Sequence, residues 1–111
     1  MEEGASDRKP VDFTLDEREG ETIVRVAGDL DATGAPALRS QLVETMESAT
    51  HRVVLDLSAV DFLDSLGLSM LVAAHRRAHE LGIDFVLASP SPASRRVLEI
   101  TRLTDLFTIV E

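Results

Sequence analysis

The most constraining stretch of the sequence is Arg52–Leu57 (Arg-Val-Val-Leu-Asp-Leu), a short run rich in β-branched residues and leucine. A strand this apolar suits the centre of a sheet covered on both faces. Helical spacing flanks it on either side. Upstream, Ala35, Leu38, Leu42, Met46 and Ala49 recur at helical intervals through about Ser48; downstream, Leu68, Leu71, Ala74, Ala78 and Leu81 do the same. A strand set between two such helices implies parallel pairing through right-handed crossovers.

The remaining segments extend this alternation. Phe13 and Leu15 alternate with Thr14 and Asp16, and Glu17–Glu21 reads as a hairpin connection into a second strand, Thr22–Ala27, which Gly28 is expected to end. Gly28–Gly34 reads as a polar loop, with Thr33 or Asp31 able to cap the first helix and Pro36 harmless in its first turn. Ser58–Asp64 reads as a second loop, its Phe62-Leu63 pair anchored in the core. Gly82 closes the second helix, Ile83–Ala88 forms a fourth strand, and Ser91-Pro92 caps a third helix whose inner face holds Val97, Leu98 and Thr101, with Leu103 just beyond. Phe107–Val110 is a last short strand. The expected fold class is α/β: one domain over residues 12–111, a mixed, mostly parallel sheet of four to five strands with about three to four helices, behind a mobile polar tail at 1–11. No internal repeat, low-complexity block or interdomain linker is expected.

Charge and residue usage narrow the chemistry. Eleven Lys and Arg against 20 Asp and Glu leave a net charge of −9 on 111 residues. That is the wrong sign for nucleic acid as main partner, which needs a concentrated basic face. With no cysteine there is no disulfide or thiolate chemistry. Lys9 is the sole lysine, so the folded part lacks the residue for a Schiff base or a phosphate-binding loop. No apolar run reaches membrane-spanning length and the N-terminus is unlike a signal peptide. The expectation is a cytoplasmic module, monomeric when free.

Functional groups in α/β folds collect at the carboxyl ends of the strands. Two acidic loops qualify, one with Asp29, Asp31 and Thr33, the other with Asp61, Asp64 and Ser65. Together they are expected to form an acidic address around Ser65. That serine lies where the second helix starts, which suits a cap and also suits a phosphate, because free N–H groups and the helix dipole favour an anion.

The run Val53–Leu68, with Phe62-Leu63-Asp64-Ser65-Leu66-Gly67-Leu68 at its end, resembles the signature of STAS-domain anti-sigma factor antagonists. Gly28-Asp29-Leu30-Asp31 resembles the family's Gly-Glu-Leu-Asp element, and the resemblance covers about residues 12–110. It implies a protein that is not an enzyme and needs no cofactor or metal. Unphosphorylated, such a protein binds an anti-sigma factor, commonly a serine kinase, and so releases a sigma factor. Phosphorylation at the position of Ser65 switches it off, and a serine phosphatase resets it. The resemblance places Asp31 on the partner surface. Leu66, Ser69, Met70, Ala73 and Arg77 form a helical stripe offset from the core-facing residues, so Asp31, Asp64, Ser65, Leu66, Ser69, Met70 and Ala73 are the candidate contacts. The plainer reading of Leu66 and Met70 is that they fill the edge of the core. Leu66 stands where many members carry Ser or Thr, which alters the surface a kinase reads. The alternative role is a STAS scaffold that is never phosphorylated.

Other chemistries lack parts. An aspartate-phosphorylated receiver domain needs a lysine late in the chain. His75 and His79 have i, i+4 spacing but no third zinc ligand, and are expected to be partly packed and solvated respectively. A Ser-His-Asp hydrolase would need a glycine ahead of Asp64-Ser65 and a later histidine. Ser89-Pro90-Ser91-Pro92 is explained by turn and cap roles.

Overall fold

The computed structural model describes residues 9–48 and 51–111. Ala49 and residues 1–8 of the expected tail therefore lie outside the described residues. The chain runs β1 (Asp12–Arg18), β2 (Glu21–Leu30), α1 (Gly34–Glu47), β3 (Arg52–Leu63), α2 (Ser65–Leu81), β4 (Asp84–Ala88), α3 (Pro92–Ile100) and β5 (Thr108–Val110). The five strands form one sheet in the order β1-β2-β3-β4-β5. β1 pairs antiparallel with β2 across the Glu19-Gly20 turn, and every other pair is parallel. The α/β class and the mixed sheet are as expected, with three helices among the described residues.

The core follows from strand periodicity. Thr22 pairs with Val53 and Val24 with Leu55, while Val53 and Leu55 pair in turn with Phe85 and Leu87. Paired residues share a sheet face, so these side chains form cross-strand rows, and all six are buried. Leu38, Leu42 and Met46 of α1 and Leu71, Ala74 and Ala78 of α2 join the same apolar cluster. The alternate positions of β1–β3 stay partly exposed, and there Arg25 lies 3.9 Å from Asp16 and 3.8 Å from Asp56.

Both middle strands run past their expected ends. β2 does not stop at Gly28 but continues to Leu30, and the expected Ser58–Asp64 loop is strand as far as Leu63. Polar residues and glycine mark a loop in sequence, but here the ladder absorbs them through register shifts between Arg25 and Ala27 and between Gly28 and Asp29. Gly28 has φ +99°, and a Cβ there would sit 2.2 Å from the Pro10 carbonyl oxygen, so the bulge requires glycine. The extension brings Leu30 and Leu63 side by side at the carboxyl ends of neighbouring strands.

Candidate functional site

At those two strand ends the same local structure is built twice. Leu30-Asp31-Ala32-Thr33-Gly34 leads into α1, and Leu63-Asp64-Ser65-Leu66-Gly67 leads into α2. Asp31 Oδ1 accepts from the N–H groups of Thr33 and Gly34, both at 3.0 Å. Asp64 Oδ1 accepts from those of Leu66 at 2.9 Å and Gly67 at 3.0 Å. The Asp31 and Asp64 carbonyls then accept from Ala35 and Leu68 as the helices begin. Each aspartate thus satisfies two of the orphan donors of a helix start.

The glycine that ends each turn is set by packing. A Cβ on Gly67 would lie 2.4 Å from the Leu30 carbonyl oxygen, and one on Gly34 would lie 2.5 Å from that of Asp29. Each helix start is pressed onto the end of β2. Asp64 N–H also donates to the Leu30 carbonyl at 3.3 Å, which ties the two turns together.

This arrangement changes several assignments. Ser65 is not the cap; Asp64 is, and Ser65 occupies the first helical position with its side chain exposed. For α1 the capping carboxylate is that of Asp31, while the Thr33 side chain makes no capping bond. Asp29 does not belong to a surface acidic cluster. It is 5% exposed, its Oδ2 accepts from the Lys9 N–H at 2.9 Å, and its own N–H donates to the Lys9 carbonyl at 3.1 Å. Asp61 is exposed and faces the Lys9 ammonium at 3.5 Å, a pair solvent leaves weak. Of the four aspartates expected around Ser65, Asp61 is exposed and Asp31 and Asp64 are half-buried, so the expected acidic address loses Asp29.

Beyond Ser65 the stripe on α2 divides by burial. Leu66 is 52% exposed, Ser69 is exposed and Ala73 is half-buried. Met70 is only 4% exposed and belongs to the core cluster, as the plainer reading of that residue has it. Helical geometry points it down between α1 and α2. Leu68, expected to face the core, packs against it only partly, while the expected core residue Leu81 is exposed. Leu66, Ser69, Met70 and Ala73 form one wall of a groove of about 890 Å³, and Ala35, Pro36, Arg39, Ser40, Val43, Glu44 and Glu47 of α1 form the other. Glu47 of that groove pairs with Arg77 at 3.4 Å, and Arg77 also meets Glu80 at 3.1 Å. The hydrogen bonds to Glu80 and then Glu47 push the Arg77 guanidinium further above its ordinary value, so it stays charged at any working pH.

The groove's α1 wall and the doubling of the turn were both missed by sequence reasoning. The signal for the second was present: Leu-Asp-x-x-Gly occurs at 30–34 and again at 63–67. The first had none, because Pro36, Arg39 and Val43 read as the outer face of an ordinary helix.

His79 is exposed and His75 half-buried, its ring edge-on to Phe107 at 5.5 Å. Among the described residues no group of three or more His, Asp or Glu is placed to hold a metal ion, and no helix is long and apolar enough to cross a membrane.

A sheet of this order with these three helices is the fold of a known class. The sequence matches the STAS domain family over residues 12–111, and the chain belongs to that family. Within it, the chain resembles proteins named as anti-sigma factor antagonists. It is 31% identical over 88 residues to the anti-sigma-B factor antagonist of Staphylococcus epidermidis, covering 79% of this chain and 82% of the relative. It is 26% identical over 99 residues to the anti-sigma-F factor antagonist RsfB of Mycobacterium tuberculosis, covering 89% and 80%. The crystal structure of an anti-sigma factor antagonist from Mycobacterium paratuberculosis superposes with a TM-score of 0.81 at 30% identity, covering 90% of this chain and 85% of the other.

Proposed function

We propose that this chain is an anti-sigma factor antagonist that binds an anti-sigma factor serine kinase when Ser65 is unmodified and releases it once Ser65 is phosphorylated. Binding withdraws the kinase from a sigma factor, and a serine phosphatase restores the binding form. All catalytic groups belong to the partners. In the switching step the Ser65 hydroxyl oxygen bonds to the terminal phosphorus of ATP, the bond to ADP breaks, and the serine proton passes to a base of the kinase.

One observation carries this reading: Ser65 is exposed at the first position of α2 while Asp64 already occupies the Leu66 and Gly67 N–H groups. A phosphate on Ser65 would add a charge of about −1.5 to −2 next to the Asp64 carboxylate. The two donors that usually welcome an anion at a helix start are already engaged by Asp64. The added charge therefore stays on the surface, where it repels a partner fitted to the unmodified face. Asp31, Asp64, Leu66, Ser69, Met70 and Ala73 are the contacts proposed with Ser65.

The test is intact-mass analysis after incubation with ATP and the anti-sigma factor that Ser65→Ala captures from the native cytoplasm. The expected result is one phosphate on the wild-type chain, none on Ser65→Ala, and at least about tenfold weaker binding by Ser65→Asp. A kinase that binds the chain yet leaves Ser65 unmodified would favour an unphosphorylated scaffold instead.

A further inference from the structure

Residues 9–11, just ahead of β1, lie across the carboxyl end of β2. Two hydrogen bonds join the Lys9 main chain to Asp29: Lys9 N–H donates to Asp29 Oδ2 at 2.9 Å, and Asp29 N–H donates to the Lys9 carbonyl at 3.1 Å. Asp29 is buried, so water competes little for these bonds, and the charged acceptor strengthens the first. The Lys9 side chain adds little, because its ammonium and Asp61 are both well exposed and solvent weakens their pair. Next along the chain, the Pro10 carbonyl oxygen fills the space that a Cβ on Gly28 would take. Val11 packs against the core, and its Cβ lies 2.9 Å from where a Cβ on Gly34 would stand. Gly34 ends the Asp31 turn, and its N–H is held by Asp31 Oδ1.

These contacts meet where the sheet is least regular. The β2–β3 ladder shifts register between Gly28 and Asp29, and such a shift leaves the local pairing incomplete. Both helix starts nevertheless rest on this level. The Asp29 carbonyl faces Gly34, while the Leu30 carbonyl faces Gly67 and accepts from Asp64 N–H. We propose that residues 9–11 are a strap that positions the partner-binding face, with Asp29 as the positioning residue that latches it. The proposal rests on reading the chain as an anti-sigma factor antagonist with Asp31 and Ser65 on that face. Asp29 acts through the Asp31 turn directly and, by way of Leu30, through the Ser65 turn. A turn already held in its bound shape loses less freedom when a partner docks, and that is what the strap contributes to affinity. Lys9 and Asp29 both lie outside the apolar cluster, so undoing the latch loosens the end of β2 and leaves the core packed.

The test uses the full chain and the purified anti-sigma factor captured by Ser65→Ala. Lys9→Pro removes the latching N–H, whereas Lys9→Ala keeps it and removes only the ammonium. Asp29→Ala removes the acceptor, whereas Asp29→Asn keeps an acceptor oxygen. Lys9→Pro and Asp29→Ala are expected to weaken binding at least about tenfold, and Lys9→Ala and Asp29→Asn less than about threefold. Hydrogen exchange of the free chain supplies a readout that needs no partner. Lys9→Pro is expected to speed exchange of the Thr33 and Gly34 amides at least about tenfold while that of Leu55 in the core stays unchanged. Binding of Lys9→Pro within about twofold of wild type, alongside loss of binding in Ser65→Asp, would overturn the strap and leave the antagonist reading intact. Equal acceleration at Leu55 would also overturn it, because the latch would then serve overall stability and not the turn. No binding by the wild type would overturn both readings.

Discussion

Asp64 and Ser65 are neighbours with opposite duties. The aspartate side chain turns back to hold the start of α2, and the serine side chain is left outside. Both residue types are good caps, so composition alone leaves the choice open. The contact of Asp64 N–H with the Leu30 carbonyl helps decide it, because it fixes the backbone so that the Asp64 carboxylate reaches the donors. Two contributions of Asp64 separate by substitution. Asp64→Ala removes the cap and should cost about 1 kcal/mol, lowering the thermal midpoint by about 4–8 °C for a domain of this size. Asp64→Asn keeps an oxygen acceptor in place and should recover most of that loss in thermal unfolding. If the two variants unfold at the same temperature, the carboxylate is not acting as a cap.

The element that sets the site is the pair of extended strands. β2 and β3 reach Leu30 and Leu63 in register, and the two Leu-Asp-x-x-Gly turns start from that level. Because each turn ends in a glycine pressed on a carbonyl of β2, the glycines are steric requirements and not flexible joints. Gly67→Ala would place a methyl 2.4 Å from the Leu30 oxygen, a clash with backbone that no side chain can relieve. Ala is the better helix former, yet here it should destabilise by about 2–4 kcal/mol, as severe overpacking does. Gly82, the left-handed residue that closes α2, has open space around it, so Gly82→Ala carries only the backbone term of about 1 kcal/mol. Denaturant melts of the two variants check the order; a milder effect at Gly67 would mean that α2 slides freely on β2.

Across the whole molecule, a single apolar cluster joins the sheet to all three helices, with Leu98 as the contribution of α3. Leu55 lies at its centre, paired with Val24 on one side and Leu87 on the other, and all three are fully buried. Leu55→Ala should therefore cost about 2–5 kcal/mol through lost burial and the cavity left behind. The expected readout is a lower urea midpoint with an unchanged slope, and a loss under 1 kcal/mol would place Leu55 at a site that collapses easily. Because the groove floor, Met70, is part of the same cluster, core packing and docking surface are not independent. Net charge is also redistributed at this scale: Asp29 is spent inside on Lys9, and Asp16 and Asp56 flank Arg25 on the sheet's open side.

Much of this was legible without coordinates. The apolar run Arg52–Leu57 between two helical periodicities dictates parallel strands. The Ser91-Pro92 and Gly82 signals mark helix ends where they occur, because capping and left-handed geometry are local. The order of Asp64, Ser65 and Gly67 ahead of an amphipathic helix is likewise a local pattern, so the place of Ser65 at a helix start could be read from the chain. Tertiary structure alone decided the rest. Whether Gly28 ends a strand or bends it, whether Asp29 faces water or Lys9, and whether Met70 is surface or floor depend on residues far away in sequence. A polar or glycine residue carries the same local propensity in a loop as in a bulged strand. Only the neighbouring strand, the Pro10 carbonyl and the facing helix supply the free energy that chooses between them.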